Sequence, residues 1–185
     1  MKKKIFFMTM LMMTLLFNIC SAQNQDYGRI KGTITWQDNS NVGVARQFYD
    51  AIGTKGDIDA KIYVIPKNFN PASISNEAEQ NYYQFGELPF NTNLYYASAD
   101  VNGNYEIAGI SPGAYYVLII SQNTKRDINK PRSEDITYIL KQISRNLEQD
   151  NLELYTKKYK HTIKTVEIRA NVTSNINYDF GNTWK

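Results

Sequence analysis

Tyrosine is the residue type this sequence uses most unusually: 14 of 185 residues, with adjacent pairs at Tyr82-Tyr83, Tyr95-Tyr96 and Tyr115-Tyr116. A tyrosine offers a flat apolar ring with a hydroxyl at its tip, a combination that stacks on a sugar or anchors a protein partner. Neighbouring residues of a strand point to opposite faces. If the pairs lie on strands, each sends one ring outward or into a second layer. Tyr82, Tyr83, Tyr95, Tyr96 and Tyr116 are therefore the candidate ligand or partner contacts. The competing reading is that tyrosine simply suits half-buried strand positions.

Other chemistry is thinly represented. Asp100, Asn102, Asn104 and Glu106 cluster oxygens as a hard cation requires, but an EF-hand-type loop wants glycine at its sixth position and Gly103 is fourth. The cluster reads as a turn. His161 is the sole histidine and Cys20 the sole cysteine, which excludes multi-histidine and cysteine-rich zinc sites. His161, beside Lys157, Lys158 and Lys160, reads as a solvated residue at a strand edge, and Lys157 to Lys160 as a loop. No Gly-x-Ser-x-Gly elbow, phosphate loop or dinucleotide fingerprint organises the serines, lysines and carboxylates. Glu134 and Asp135 suit the positive end of a helix. The sequence thus predicts no catalytic residue, no metal and no cofactor. A hydrolase built on unmarked carboxylates stays open, because their separation in space is not a sequence property.

The elements that would position these residues are mostly strands. Ile30, Ile34 and Trp36 alternate with Lys31, Thr33 and Thr35, the period of a half-buried strand. Residues 37–59 read as a long connection with a short helix at 44–52. Ala60 to Pro66 returns to strand chemistry, and 67–81 reads as an insertion with a helical turn at 76–81. Tyr82 to Phe85, Leu94 to Ala99 and Tyr105 to Ile107 read as strands, with Asn102-Gly103 as a hairpin turn. Ala114 to Ser121 is apolar on both parities and so predicts a central strand covered on both faces. Ser133 is the expected N-cap of one amphipathic helix over 134–149, whose stripe is Ile136, Ile139, Leu140, Ile143 and Leu147. Val166, Ile168, Ala170, Val172, Ile176, Tyr178 and Phe180 then share one parity, with Glu167, Arg169, Asn171, Thr173, Asn175, Asn177 and Asp179 on the other.

The stretch Ala99-Asp100-Val101-Asn102-Gly103-Asn104-Tyr105-Glu106-Ile107, followed by Gly109-Ile110-Ser111-Pro112-Gly113-Ala114-Tyr115-Tyr116-Val117, resembles the carboxypeptidase regulatory-like family. Upstream, Gly32-Thr33-Ile34 and Asp59-Ala60-Lys61-Ile62-Tyr63-Val64 are similar to that family's opening strands. The resemblance implies a mainly β protein, a transthyretin-like (Ig-like) β-sandwich of about seven strands with one inserted amphipathic α-helix. It also implies a module that accompanies peptidases without their catalytic residues. The first connection is longer than the family's usual one, and the helix interrupts the last strands.

The opening residues bear on location. Lys2 to Lys4, the apolar run Ile5 to Phe17 and the small residues Cys20, Ser21 and Ala22 form the pattern of a secretory signal peptide over 1–22. That leaves one domain over 23–185 with no transmembrane anchor. Lipidation of Cys20 fits poorly because bulky Ile19 precedes it. The chain's 21 basic residues against 18 acidic ones reduce to balance once those three lysines go, so nothing favours nucleic acid or an anionic membrane as partner. The expectation is an exported, non-enzymatic binding or structural module, periplasmic, cell-surface or secreted, contacting an unknown protein or polysaccharide. The alternative is a transthyretin-like small-ligand carrier or assembly subunit.

Overall fold

The computed structural model describes residues 26–38 and 54–183. The expected signal peptide, Cys20 and the expected short helix at 44–52 lie outside the described residues. Strand β1 (Gly28–Asp38) organises the first sheet. Along one edge it pairs antiparallel with β5 (Asn104–Ile110) and the two-residue β2 (Lys55–Gly56). Along the other it pairs in parallel with β8 (Thr173–Asn175) and β9 (Tyr178–Thr183). The second sheet is antiparallel throughout, in the order β4 (Tyr95–Ser98), β3 (Lys61–Pro66), β6 (Gly113–Lys125), β7 (Tyr159–Ile168). The two sheets form the expected β-sandwich, with nine strands among the described residues.

Ile30 and Ile34 of β1, Tyr105 and Ile107 of β5 and Phe180 of β9 face Ile62, Val64, Tyr115, Val117 and Ile119 of the second sheet across the main core. The opposite parity of that sheet, Tyr63, Ile65, Leu118 and Ile120, is equally buried against a helical layer. The two-sided reading of 114–121 therefore holds, and it extends to β3.

That helical layer is larger than a single helix. α1 (Asn76–Phe85) begins at Ser75, whose hydroxyl accepts from the Ala78 N–H, and ends at Gly86 with φ +76°. Tyr82 to Phe85 is thus helix, not strand. The buried stripe is Glu79, Tyr82 and Tyr83, at the i, i+3, i+4 spacing of a helix face, with a carboxylate where a hydrophobic residue would have announced the period. α2 (Glu134–Ile143) has the expected N-cap at Ser133. It stops at Ser144, which is extended, so the expected helix over 134–149 is divided. A 3₁₀ turn (Leu147–Gln149) and α3 (Asn151–Lys158) follow. Lys157 and Lys158 end that helix, and Lys160 already belongs to β7, so the expected loop there is absent.

Two connections also differ from expectation. Asn102-Gly103 is not a hairpin within one sheet, because β4 and β5 lie in different sheets. The turn carries the chain round a corner, with Gly103 at φ +79°. The C-terminal alternation is cut at 169–172, where Asn171 takes φ +59° and the chain leaves β7 for the first sheet. Val172 is consequently exposed, although Val166, Ile168, Ile176, Tyr178 and Phe180 keep their common side and pack on the main core.

The polar groups inside the helical layer are tied closely. Tyr83 donates its hydroxyl to the carbonyl of Ile143 at 2.6 Å, and Tyr63 donates to the carbonyl of Tyr83 at 2.6 Å. Both acceptors lie in the last turn of a helix, where carbonyls lack partners within the helix. Glu79 is fully buried. One of its oxygens accepts from the Arg145 N–H at 2.7 Å, while the other stands 3.8 Å from the Arg145 guanidinium. Burial, with neighbouring Asp150 adding to it, raises the Glu79 pKa above its ordinary 4.5.

Two outcomes follow from these bonds. Tyr83→Phe strands a buried helix-end carbonyl and should lose about 1–3 kcal/mol in urea unfolding. Tyr116→Phe, whose 3.3 Å bond to Gln142 is exposed, should stay within about 0.5 kcal/mol of wild type. For Glu79 the folded state holds the proton more tightly than the unfolded chain, so its contribution to stability falls as pH rises from 4.5 through the raised folded value. The stability of wild type relative to Glu79→Gln should therefore decline with pH over that window, as read from denaturation midpoints.

Candidate functional site

The five candidate tyrosines do not share a surface. Tyr82 and Tyr83 are both buried, each 1% exposed, inside the helical layer. Tyr95 faces the main core side, its ring centroid 6.2 Å from that of Tyr115 and its hydroxyl oxygen accepting from the Ser111 N–H at 3.0 Å. Tyr96 faces the other side of the same sheet, 5.2 Å from the Tyr63 ring, with the Lys61 ammonium 5.7 Å from its centroid. Tyr116 sits on that side too, half-buried, under the Lys67 ammonium at 5.4 Å. Strand alternation splits each pair as expected for 95–96 and 115–116, and the helix removes it for 82–83.

The oxygens at 100–106 are engaged in structure. Asp100 Oδ1 accepts from the N–H groups of Asn102 and Asn104, both at 2.8 Å. Asn104 Oδ1 accepts from the Thr33 hydroxyl at 2.8 Å, and Glu106 pairs with Arg29 at 2.7 Å. This is an Asp-stabilised turn of the kind that favours such residues. Among the described residues no group of three His, Cys, Asp or Glu side chains could hold a metal ion.

These same residues border a recess on the outer face of the first sheet. In β1, Ile30 and Ile34 point inward, so Arg29, Lys31 and Thr33 point out. By the same alternation β5 presents Asn104 and Glu106, and the last strands present Asn175 and Asn177. Lys31, Thr33, Asn104, Glu106, Asn175 and Asn177 line a depression of about 430 Å³. The polar parity of the C-terminal alternation is thus brought beside the 100–106 cluster. Sequence reasoning singled out both segments separately. It missed their meeting because β8 and β9 join β1 in parallel from more than 140 residues away.

One local device shapes the recess. Between β8 and β9 the carbonyl of Ile176 turns toward Gly32 and accepts the Tyr105 hydroxyl at 2.9 Å. The Thr33 N–H instead donates to Asn177 Oδ1 at 2.9 Å. A side-chain amide thereby completes a ladder that the backbone interrupts. A Cβ on residue 32 would lie 1.9 Å from the Ile176 oxygen, so glycine is required there by close approach.

The recess combines an ammonium, carboxylates, side-chain amides and hydroxyls. It can hold a hydroxyl-rich ligand by hydrogen bonds. No protein-family model matches the chain, and no curated protein matches it. Among solved structures, the minor pilin of the Gram-positive pathogen Streptococcus agalactiae is similar with a TM-score of 0.43 and 11% identity, over 86% of this chain and 46% of the pilin. A protein of proposed carbohydrate-binding function from Pseudomonas aeruginosa is similar with a TM-score of 0.40 and 12% identity, over 87% of this chain and 93% of that one. This chain spans less than half of the pilin's length.

Gly32→Ala should push Ile176 off the first sheet and cost about 1–3 kcal/mol, the usual penalty of overpacking. Thermal unfolding checks this, and hydrogen exchange at the Thr33 and Ile176 amides should quicken more than exchange in β3 or β6.

Proposed function

We propose that this chain is an exported, non-enzymatic binding module of the carboxypeptidase regulatory-like type, which holds a polysaccharide on the open face of its first sheet. The observation that carries this reading is the recess itself: six outward polar side chains from three segments converge on a broad sheet face that no helix among the described residues covers. Amides and hydroxyls both donate and accept, which suits sugar hydroxyls that do the same. The family assignment is supported by the paired motif at 99–117, and export by the basic and apolar start of the chain. No helix among the described residues is long and apolar enough to cross a membrane.

The space between the sheets is filled by Ile30, Ile34, Ile62, Val64, Val117 and Ile119, all fully buried. That packing favours a ligand held outside over a small molecule enclosed as in a carrier. An open site that makes about four net hydrogen bonds of about 1 kcal/mol each reaches only about millimolar affinity for one short sugar segment. A polymer that presents repeated segments would bind more tightly through avidity.

Soluble fragments of neutral polysaccharides, titrated against the labelled protein by NMR, should perturb the side-chain amides of Asn104, Asn175 and Asn177. The double variant Lys31→Ala, Asn175→Ala removes two exposed side chains that bond no other side chain among the described residues, and should weaken that binding about tenfold, or 1.4 kcal/mol, at an unchanged melting temperature. A panel that leaves these three amides unmoved rejects the reading.

A further inference from the structure

A second depression, about 360 Å³, opens where the end of β6, the approach to α2, β7 and β9 meet. Its size falls within the roughly 300–1,000 Å³ of ligand pockets. Arg126, Arg132, Lys160 and His161 line it beside the rings of Tyr178 and Phe180. The two guanidinium charges here are unequally answered. Glu153 bonds Arg132 at 2.6 Å and also Lys157 at 3.0 Å, one carboxylate for two cations. The Arg126 guanidinium donates to the carbonyl of Lys130, which carries no charge. Lys160 donates to the carbonyl of Phe180 at 3.0 Å. No carboxylate borders the groove among the described residues. A guanidinium has five N–H donors in a fixed fork, so a single carbonyl leaves most of those on Arg126 for another acceptor.

We propose that this groove binds an oxyanion, a carboxylate or sulfate group carried on a small ringed ligand, with Arg126 as its main partner and His161 beside it. Arg126 supplies the planar fork that matches an oxyanion. Tyr178 and Phe180, whose rings pack edge to face at 4.8 Å, supply an apolar wall for the body of the ligand. His161 Nδ1 lies 3.0 Å from the carbonyl of Tyr159 and donates to it, which leaves Nε2 as the ring atom for a ligand.

Burial lowers the His161 pKa, and Arg126 and Arg132 lower it further, against the Tyr159 carbonyl and Glu153, which raise it. Lys160 on its own strand and Tyr178 on β9 also border the groove. An anion seated among these cations offsets their repulsion and so favours the protonated ring. The proposal stands apart from the recess on the first sheet, and either site can fail while the other holds.

His161 is the only histidine, so its imidazole proton resonance reports on this groove alone. The purified protein is titrated with pH in the presence of glucuronate, acetate, sulfate or glucose, at constant conductivity. The charged probes should raise the His161 midpoint by about one pH unit, glucose should leave it in place, and the ratio of glucuronate to sulfate affinity identifies the oxyanion. Arg126→Gln should weaken binding of the preferred probe at least about tenfold, with Arg126→Lys retaining part of it. A midpoint that no charged probe moves in the wild type overturns the proposal, as does an Arg126→Gln protein that folds and binds the probe undiminished.

Discussion

β3 and β6 are apolar on both parities, and that forces the rest of the architecture. Tyr63, Ile65, Leu118 and Ile120 face one way, and Ile62, Val64, Val117 and Ile119 the other; every one of these is fully buried. A sheet with two apolar faces needs two covers. The first sheet provides one and so spends its own inner face. The other must come from chain inserted between strands, which is why helices interrupt the sequence before β4 and between β6 and β7. Among the described residues only the first sheet retains a broad face toward solvent, and the polar parities of β1, β5, β8 and β9 come to lie there.

Covering a sheet with short helices leaves backbone carbonyls facing apolar surroundings, and an unpaired buried carbonyl costs about 1–3 kcal/mol. Tyrosine answers this repeatedly. The hydroxyls of Tyr63 and Tyr83 take carbonyls at the ends of α1 and α2, Tyr82 takes that of Tyr95 at 2.9 Å on the edge strand β4, and Tyr105 that of Ile176. Tyr115 does the same for Ser111 at 2.8 Å. Part of the abundance of tyrosine thus has a structural cause: each of these five rings fills core volume while its tip satisfies a backbone carbonyl. Phenylalanine would do only the first.

The strands were legible where side-chain period and burial agree. Ile30 and Ile34 in β1, both parities of β6 and the common side of Val166 through Phe180 all follow from alternation, and the N-cap at Ser133 from its chemistry. Misreadings arose where a polar residue serves the interior. Glu79 occupies the inward stripe of α1, so Tyr82 and Tyr83 read as a strand pair. Ser144 breaks the helix begun at Ser133 although Leu147 continues its apolar spacing and joins the same cluster. The turn at Asp100 to Asn104 was recognised from its residue types. Its destination, a second sheet and not a hairpin partner, depends on contacts remote in sequence and leaves no local trace.

That remoteness bears most on the recess. Its walls are residues 31–33, 104–106 and 175–177, and the bond from the Thr33 N–H to Asn177 Oδ1 joins positions 144 apart. Pairings of this separation carry the largest loop-closure cost in the fold and slow its formation. They are also parallel, a geometry that tight turns cannot template. The second sheet, built from antiparallel neighbours around β6 and sealed by its helices, can gain its burial without β8 and β9. The recess cannot exist until those strands dock on β1. Gly32 is the point at which this docking is decided, because the inward Ile176 carbonyl fits only over a residue with no side chain. The binding face is therefore conditional on completion of the sandwich, and its geometry rests on the backbone of β1 more than on any one polar side chain that it presents.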